Sequence, residues 1–395
     1  MRVLVTSRLY PSAACPGRGT FVHNQVRFLA AHCELEVISP TPWSLPVPGT
    51  GRYGAYARVR RHECLDGIAV SYPRYLSPPR RVLFSHAWRF YLAAVRRAQV
   101  HRPDLVHAHL AYPDGYAGVH LSRALGVPLV ISVHGHDVRQ IPQANPRWRA
   151  LVEAALAQAA AVIGSSTDIL GRLASLGVPD SRVHRVPQGV DSARFCLSTR
   201  QGPGSGDWRL LYLGRFDQKK GIGVLLEAVA LLRQEGRRVH LRLVGGSPIS
   251  GTGAAFRRQA ALLGLEECVE FGSEKPPEAI PAEIGDSDLL VLPSFYDSFG
   301  IVLIEAMACG VPVVATRCGG PEDIVEPEVG ELVTPGSVLD LARGIGNVLD
   351  GYARYDRQAI RERAVERYDY RSIAARIHGI YGAVLQEAAG AGTGG

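Results

Sequence analysis

Several things are scarce in this 395-residue chain, and each shortage closes off a class of protein. No apolar run approaches the roughly 18 residues that a membrane-crossing helix needs, so no such helix is expected. The opening MRVLVTSRLYP reads as a first strand and lacks the apolar core and cleavage pattern of a secretory signal. Seven cysteines form no C-x-x-C pair and leave an odd one. That argues against a zinc site or a disulfide frame, and for reduced thiols in a cytoplasmic protein. Lysine is absent from residues 1–190, where 22 arginines face 10 acids for a net of +12. The whole chain is +7, which leaves −5 for residues 191–395. No recognised nucleic-acid module accompanies the basic half, so nucleic acid is not an expected partner. An apolar fraction of 46% against 21% charged residues excludes a disordered chain.

What is present is alternation. Apolar strands at 2–7, 35–39, 104–109, 128–134 and 161–165 are separated by helix-length amphipathic stretches, the pattern of an α/β fold with parallel sheets. Residues 196–208, rich in Gly, Ser and Pro, read as a linker. A second series follows, with strands at 210–213, 240–244, 269–272, 289–292 and 311–316. The chain therefore divides into domains at 1–195 and 209–369. A last helix near 371–386 carries an apolar stripe of Ile373, Ile377, Ile380, Tyr381 and Leu385 that must be covered. The tail from 388 reads as disordered.

The densest signal is PSFYDSFGIVLIEAMACGVPVVA, from Pro293 to Ala315. A buried strand ends at Pro293, and a helix is expected over 301–307. Asp297 then lies in the turn and Glu305 about 9 Å along the helix axis from its start. A helix N-terminus attracts anions because its first N–H groups lack intrahelical partners. That span suits a diphosphate at Ser298, Phe299, Gly300 and Ile301, and a ribose beside Glu305. One domain-length earlier, LGRFDQKKGIG places Arg215 and Lys220 around a glycine turn, two cations suited to a departing diphosphate. Asp286-Ser287-Asp288 has the form of a metal-binding Asp-x-Asp motif. It precedes the strand at 289–292, at the end opposite the proposed site, and is read as a turn with no metal role.

These motifs resemble the donor-site signature of retaining glycosyltransferases of family 4, in which the first acid is usually Glu rather than Asp. The resemblance implies a GT-B architecture: α/β, two Rossmann-like parallel-sheet domains facing across a cleft. The C-terminal helix, 370–388, would pack back on the first domain. It implies transfer of a sugar from a UDP- or GDP-sugar to a hydroxyl on a sugar, a lipid-linked sugar or a small molecule, with no cofactor and no metal. Arg215 and Lys220 would be the diphosphate pair, and Asp297 would orient the sugar.

In the first domain, VHAHLAYPDGYAG and VISVHGHDV put His107, His109, Asp114, His134, His136 and Asp137 at two strand ends, where open α/β sheets bind ligands. No third ligand has metal-site spacing. By resemblance His134 is the histidine at the donor sugar, with His136 as the alternative, and His109, Asp114 and His136 lie on the acceptor side. Gly17 and Gly19 resemble the family's glycine loop, with Gly19 near donor phosphate, and Gly319 and Gly320 resemble its sugar-facing turn. Gln188 stands where the family usually has Asn. The stretch RRVLFSHAWRFYLAAVRRAQV mixes arginine with aromatics. It is either an ordinary surface helix or a peripheral contact with an anionic membrane face or phosphorylated acceptor. Two other readings use the same residues: a glycoside hydrolase with Asp297 and Glu305 as its carboxylate pair, and a nucleotide-sugar-binding protein without turnover.

Overall fold

The computed structural model describes all residues except 44–51, 78–82, 201, 203–206, 247–251 and 393–395. The chain divides into two compact units, Met1–Gln188 with Tyr370–Gly395, and Gly189–Asp369. The second unit therefore starts earlier than the expected boundary. Residues on either side of 196 are tied into it: Val190 N–H donates to Tyr368 O at 2.7 Å, and Ser198 donates from its backbone to Cys309 O at 3.0 Å and from its hydroxyl to Gly285 O at 2.6 Å. What composition marks as a linker is partly a strap on this unit.

The first unit is built on strands β1 (Arg2–Thr6), β2 (Glu34–Ile38), β4 (His62–Leu65), β5 (Ile68–Ser71), β7 (Leu105–His109), β8 (Leu129–Ser132), β9 (Ala161–Gly164) and β10 (Val183–Arg185), with β3 (Thr41–Pro42) and β6 (Arg74–Tyr75) forming a separate pair. The sheet order is β10-β9-β8-β7-β1-β2-β5-β4, parallel except for the β4–β5 hairpin. Near-continuous apolar strands such as β7, β8 and β9 are fully buried, as a parallel sheet covered on both faces requires. The last helix, Tyr370–Gly392, runs past its expected end and packs on the helix Thr20–Leu29, with Phe28 and Tyr370 stacked at 5.3 Å. Its stripe residues Ile373, Ile377 and Tyr381 join the core under β1 and β7, each buried side chain contributing about 1.5–3 kcal/mol.

The second unit has β11 (Trp208–Gly214), β12 (Val239–Gly245), β13 (Val269–Gly272), β14 (Leu289–Leu292), β15 (Val313–Thr316) and β16 (Gly330–Val333), all parallel, in the order β13-β12-β11-β14-β15-β16. Among the parallel strands of each sheet the order reverses once, between β1 and β7 and between β11 and β14. Such switch points open a crevice at the carboxyl ends of the strands, where ligands bind in open α/β sheets. The motif residues lie at those two places.

The arginine-rich segment forms the helix Ala87–Ala98. Tyr91, Leu92, Ala94 and Val95 are buried in the first unit, and Trp88 stacks on His120 at 4.3 Å. Its exposed side carries Arg89, Arg96 and Arg97. The aromatics that an interfacial helix would insert into lipid are thus spent on packing. Arg80 and Arg81 lie outside the described residues. Among the described residues no helix is long and apolar enough to cross a membrane.

Candidate active site

In the second unit the site begins where β11 ends. Gly214 (φ 152°) turns the chain, and Asp217 Oδ1 accepts from Lys219 N–H at 3.0 Å to shape a short turn over Gln218–Lys220. Gly221, at φ 69°, passes directly over the end of β14: a Cβ there would stand 1.9 Å from Pro293 O. Lys219 O accepts from Phe295 N–H at 2.9 Å, so the cation loop and the acid loop are sewn together. Lys220 Nζ consequently reaches Asp297 Oδ2 at 2.6 Å, an ion pair whose members are 23% and 16% exposed. Arg215 behaves differently. Its side chain is 77% exposed and 3.8 Å from Asp217, so it stands largely in solvent.

Asp297 is fixed at its backbone. Its N–H donates to Cys318 O at 3.3 Å and its carbonyl accepts from Gly320 N–H at 2.9 Å. Gly320 lies so close to the acid loop that a Cβ would meet Phe299 Cα at 2.2 Å. Phe299 itself is buried and packs edge-on to Tyr368 at 5.9 Å, so it offers a ligand only its backbone. Ser298 and Gly300 (φ 96°) lead into the helix Ile301–Ala308, whose first N–H groups lack intrahelical acceptors. Glu305 follows on that helix, half-buried, and its carboxylate accepts no hydrogen bond among the described residues. Burial pushes its pKa up to about 7, with Arg194 opposing.

At the amino-terminal end of β14, Asp288 is buried and accepts from Arg200 Nε and Nη2 at 2.7 and 3.0 Å and from Arg209 N–H at 2.9 Å. The Asp-x-Asp element is thus a structural clasp far along the strand from Asp297. A cavity of about 870 Å³ opens at this same end, lined by Arg209, Arg242, Glu283 and Asp286. Within it Arg242 pairs with Glu283 at 2.6 Å, and Arg215, Lys220, Asp297 and Glu305 are not among the residues that line it. Among the described residues, no group of three or more His, Cys, Asp or Glu has the arrangement to hold a metal ion.

In the first unit, His107 and His109 point to the same side of β7 with ring centroids 4.3 Å apart. Strand β8 stops at Ser132, two residues short of expectation, so His134 stands in the loop rather than on the strand. Asp137 ties that loop down: its Oδ1 accepts from His134 N–H at 3.0 Å and its Oδ2 from Ala111 N–H at 2.8 Å. Nothing in the spacing of HGHD marked Asp137 for this role. His134 Nε2 meets His109 Nδ1 at 3.1 Å, and Phe21 presents an edge to the His134 ring at 4.8 Å. Burial drives the pKa of His134 down to about 4 and that of His107 to about 3, and His109 falls well below its ordinary value, so all three rings are neutral at pH 7. His136 is half-buried and bonded through Nδ1 to Gln140 Oε1 at 2.9 Å.

Of the residues expected on the acceptor side, Asp114 and His109 expose no surface within the first unit. Asp114 Oδ1 accepts from Arg8 N–H at 2.6 Å and from the Tyr91 hydroxyl at 2.8 Å, and Arg8 Nε lies 3.8 Å from Oδ2. Burial pushes the Asp114 pKa up to about 6, against the pull of Arg8. The residue that sequence reading missed is Arg8, which Asp114 holds at the carboxyl end of β1. Beside it Gly19 caps the helix Thr20–Leu29 at φ 69°, where a Cβ would sit 2.4 Å from Leu9 C and O. Gln188, at the end of the unit, is buried with Oε1 unpartnered among the described residues.

Two α/β units, each presenting cations and a helix N-terminus at its sheet's switch point, define a nucleotide-sugar-type transferase of the GT-B class. The comparisons agree. Residues 198–367 match the model "Glycosyl transferases group 1", and residues 17–194 match "Glycosyltransferase Family 4". A putative teichuronic acid biosynthesis glycosyltransferase, TuaC of Bacillus subtilis, is 29% identical over 359 residues, covering 87% of this chain and 88% of that protein. A D-inositol 3-phosphate glycosyltransferase of an Arthrobacter species is 30% identical, covering 75% and 73%. The crystal structure of Anabaena HepE in complex with UDP-glucose superposes with a TM-score of 0.74 at 22% identity over 97% of this chain and 100% of that one, a likeness of fold. The chain belongs to the family 4, group 1 glycosyltransferases and is a hexosyltransferase-type enzyme.

Proposed function

We propose that the enzyme transfers a sugar from a nucleoside diphosphate sugar, a UDP-sugar first among the candidates, to an acceptor hydroxyl with retention and without a metal. The observation that carries this reading is the Lys220–Asp297 pair set against the start of the helix Ile301–Ala308, with the unpaired Glu305 carboxylate beyond it. Arg215, Lys220 and the helix N–H groups would meet the charge that grows on the diphosphate. Glu305 would accept the ribose hydroxyls. Asp297 would orient the sugar, a role that the family resemblance extends to His134. The acceptor oxygen bonds to the anomeric carbon as the bond to the phosphate oxygen breaks. The departing diphosphate keeps the electron pair and takes the acceptor proton, so no protein nucleophile is needed.

The metal-free reading is supported by Asp288, which is sequestered by Arg200 and Arg209 at the wrong strand end to serve a diphosphate at Asp297. The UDP preference is supported by HepE, seen with UDP-glucose. The acceptor falls to the first unit, where Arg8 and the exposed Arg89, Arg96 and Arg97 favour an anionic or lipid-linked molecule and a peripheral contact with an anionic membrane face. The test is NMR assignment of the anomeric configuration of product formed from UDP- and GDP-sugars, with and without EDTA. Retained configuration and turnover undiminished by EDTA are expected. An inverted linkage would overturn the mechanism, and loss of turnover in EDTA the metal-free reading.

A further inference from the structure

The first unit carries more histidine than the proposed reaction uses. Three imidazoles, His107, His109 and His134, lie in one buried row: His107 and His109 at 4.3 Å between centroids, His109 and His134 at 5.3 Å with their planes 2° apart. The proton positions in the row can be worked out from its ends. Tyr381, on the last helix, has one hydrogen-bond partner among the described residues, His107 Nδ1 at 2.6 Å. A buried phenol keeps its proton, so Tyr381 donates and His107 Nδ1 accepts. His107 then carries its own proton on Nε2 and donates it to Ser132 Oγ at 2.8 Å. Both nitrogens of His107 are committed, and His109 can receive nothing from it.

Among the described residues His109 is left with one hydrogen-bond partner, His134 Nε2 at 3.1 Å, while its own Nε2 is buried without any. Two neutral rings share a single proton across that contact. If it sat on His134, the proton of His109 would be forced onto Nε2, a fully buried N–H with no acceptor and two imidazoles as neighbours, the costlier kind of unmet group. If it sits on His109 Nδ1, the proton of His134 moves to Nδ1, which also lacks an acceptor among the described residues but belongs to a half-buried ring whose backbone N–H is held by the Asp137 carboxylate, a negative neighbour of a kind that His109 lacks. The second arrangement wins. Coplanar rings give the shared hydrogen bond its best alignment.

We propose that His109 is a positioning residue that donates Nδ1–H to His134 Nε2 and so locks His134 as a neutral ring protonated on Nδ1, one that serves the reaction without gaining or losing a proton. The relay runs from the C-terminal helix through Tyr381 and His107, which fix the neighbour of His109, to the loop that Asp137 holds. The tautomer stands on this unit's geometry alone. Its effect on turnover rests on the reading that His134 faces the transferred sugar.

The experiment is a long-range ¹⁵N–¹H correlation spectrum of the whole enzyme labelled at histidine, with the His134 signals identified by their loss in His134→Gln. A protonated Nδ1 and a bare Nε2 on His134, unchanged from pH 6 to 8, are expected. A protonated Nε2, or an imidazolium in that range, would overturn the proposal. Kinetics adds a second arm, because an asparagine amide reaches where Nδ1 of histidine reaches and can still donate. His109→Leu should lower kcat about tenfold while nucleotide affinity stays within about twofold, and His109→Asn should recover most of the loss. Equal losses in both variants would refute the donor role. The Nδ1–H tautomer together with full turnover in His134→Gln would uphold the lock and overturn the placement of His134 at the sugar.

Discussion

Removal of the Lys220 ammonium separates two roles that the ion pair with Asp297 combines. Lys220 Nζ lies 2.6 Å from Asp297 Oδ2, with both groups less than a quarter exposed. On the proposed reading a diphosphate would share the ammonium with this carboxylate. The charge-assisted bond from Lys220 to phosphate is worth about 1.5–3 kcal/mol, which sets the loss in Lys220→Ala at roughly 10- to 150-fold in affinity for UDP. Removing the competing carboxylate acts in the opposite direction. A partly exposed pair contributes about 1 kcal/mol, so Asp297→Asn should bind UDP roughly fivefold more tightly while turnover falls, because the sugar has lost its acid. Isothermal titration of UDP into wild type, both single variants and the double variant closes the cycle. In the double variant Asp297→Asn should no longer bring a gain. If Asp297→Asn weakened UDP as much as Lys220→Ala does, or if Lys220→Ala left UDP affinity unchanged, the diphosphate would not lie at this loop.

Two further perturbations follow from the same half-site. Glu305 has a pKa of about 7 in the free protein, raised by burial from 4.5, so the folded state binds the extra proton. Its contribution to stability is present below about pH 4.5 and is lost as pH rises through 7. Ribose hydroxyls donate to the carboxylate and not to the acid, so UDP affinity should rise by up to about tenfold per pH unit between 5.5 and 7 and level off above. Titration in buffers of different ionisation enthalpy should show proton release on binding at pH 6. Glu305→Gln should abolish both effects, and a wild-type affinity flat over that range would remove Glu305 from the ribose. Gly221→Ala combines a positive φ with a Cβ 1.9 Å from Pro293 O, whereas Gly126→Ala has a similar φ of 65° and nothing within 4 Å. Gly126→Ala should cost about 1 kcal/mol and Gly221→Ala several times that, together with UDP binding, since the backbone must shift where Lys220 is set. Equal melting temperatures for the two would mean that the close approach at Gly221 is not a constraint.

How far the fold was legible depends on strand length and burial. β7, β9, β11, β13 and β14 are apolar runs bounded by turns, and their positions follow from the chain itself. The strands that went unread are short or at the edges: β10 has three residues, β16 is Gly330–Val333 beside β15, and β4 and β5 close the other sheet. The β4–β5 hairpin did leave a signal. Asp66-Gly67 sits between Leu65 and Ile68 with φ of 48° and 79°, the two-residue turn that Asp-Gly favours. It was hidden because edge strands exposed on one side, such as His62–Leu65, carry few apolar residues. The boundary at 189 was missed for a related reason. Gly, Ser and Pro report freedom of the backbone, not the hydrogen bonds by which Ser198 joins Cys309 and Gly285.

For the site, chain position locates a residue without saying what its side chain touches. Asp297 and Glu305 are eight residues apart and share a motif, yet the partner of Asp297 is Lys220, 77 residues away, and the Glu305 carboxylate accepts no hydrogen bond among the described residues. Asp114 reads as a ligand at a strand end, but the fold turns it inward onto Arg8, 106 residues distant, whose side chain is 22% exposed while that of Asp114 is fully buried. The departure from the family's usual Glu at 297 has a consequence of the same kind. With the Asp297 backbone held by Cys318 on one side and Gly320 on the other, the loop cannot slide to offset a shorter side chain. The carboxylate therefore stands one methylene, about 1.5 Å, nearer its own backbone than a glutamate's would, and Lys220 meets it there at 2.6 Å. On the proposed reading, a donor sugar would have to come that much deeper to use the acid, or use it through the lysine, and sugar preference would depend on a residue pair that no single motif contains.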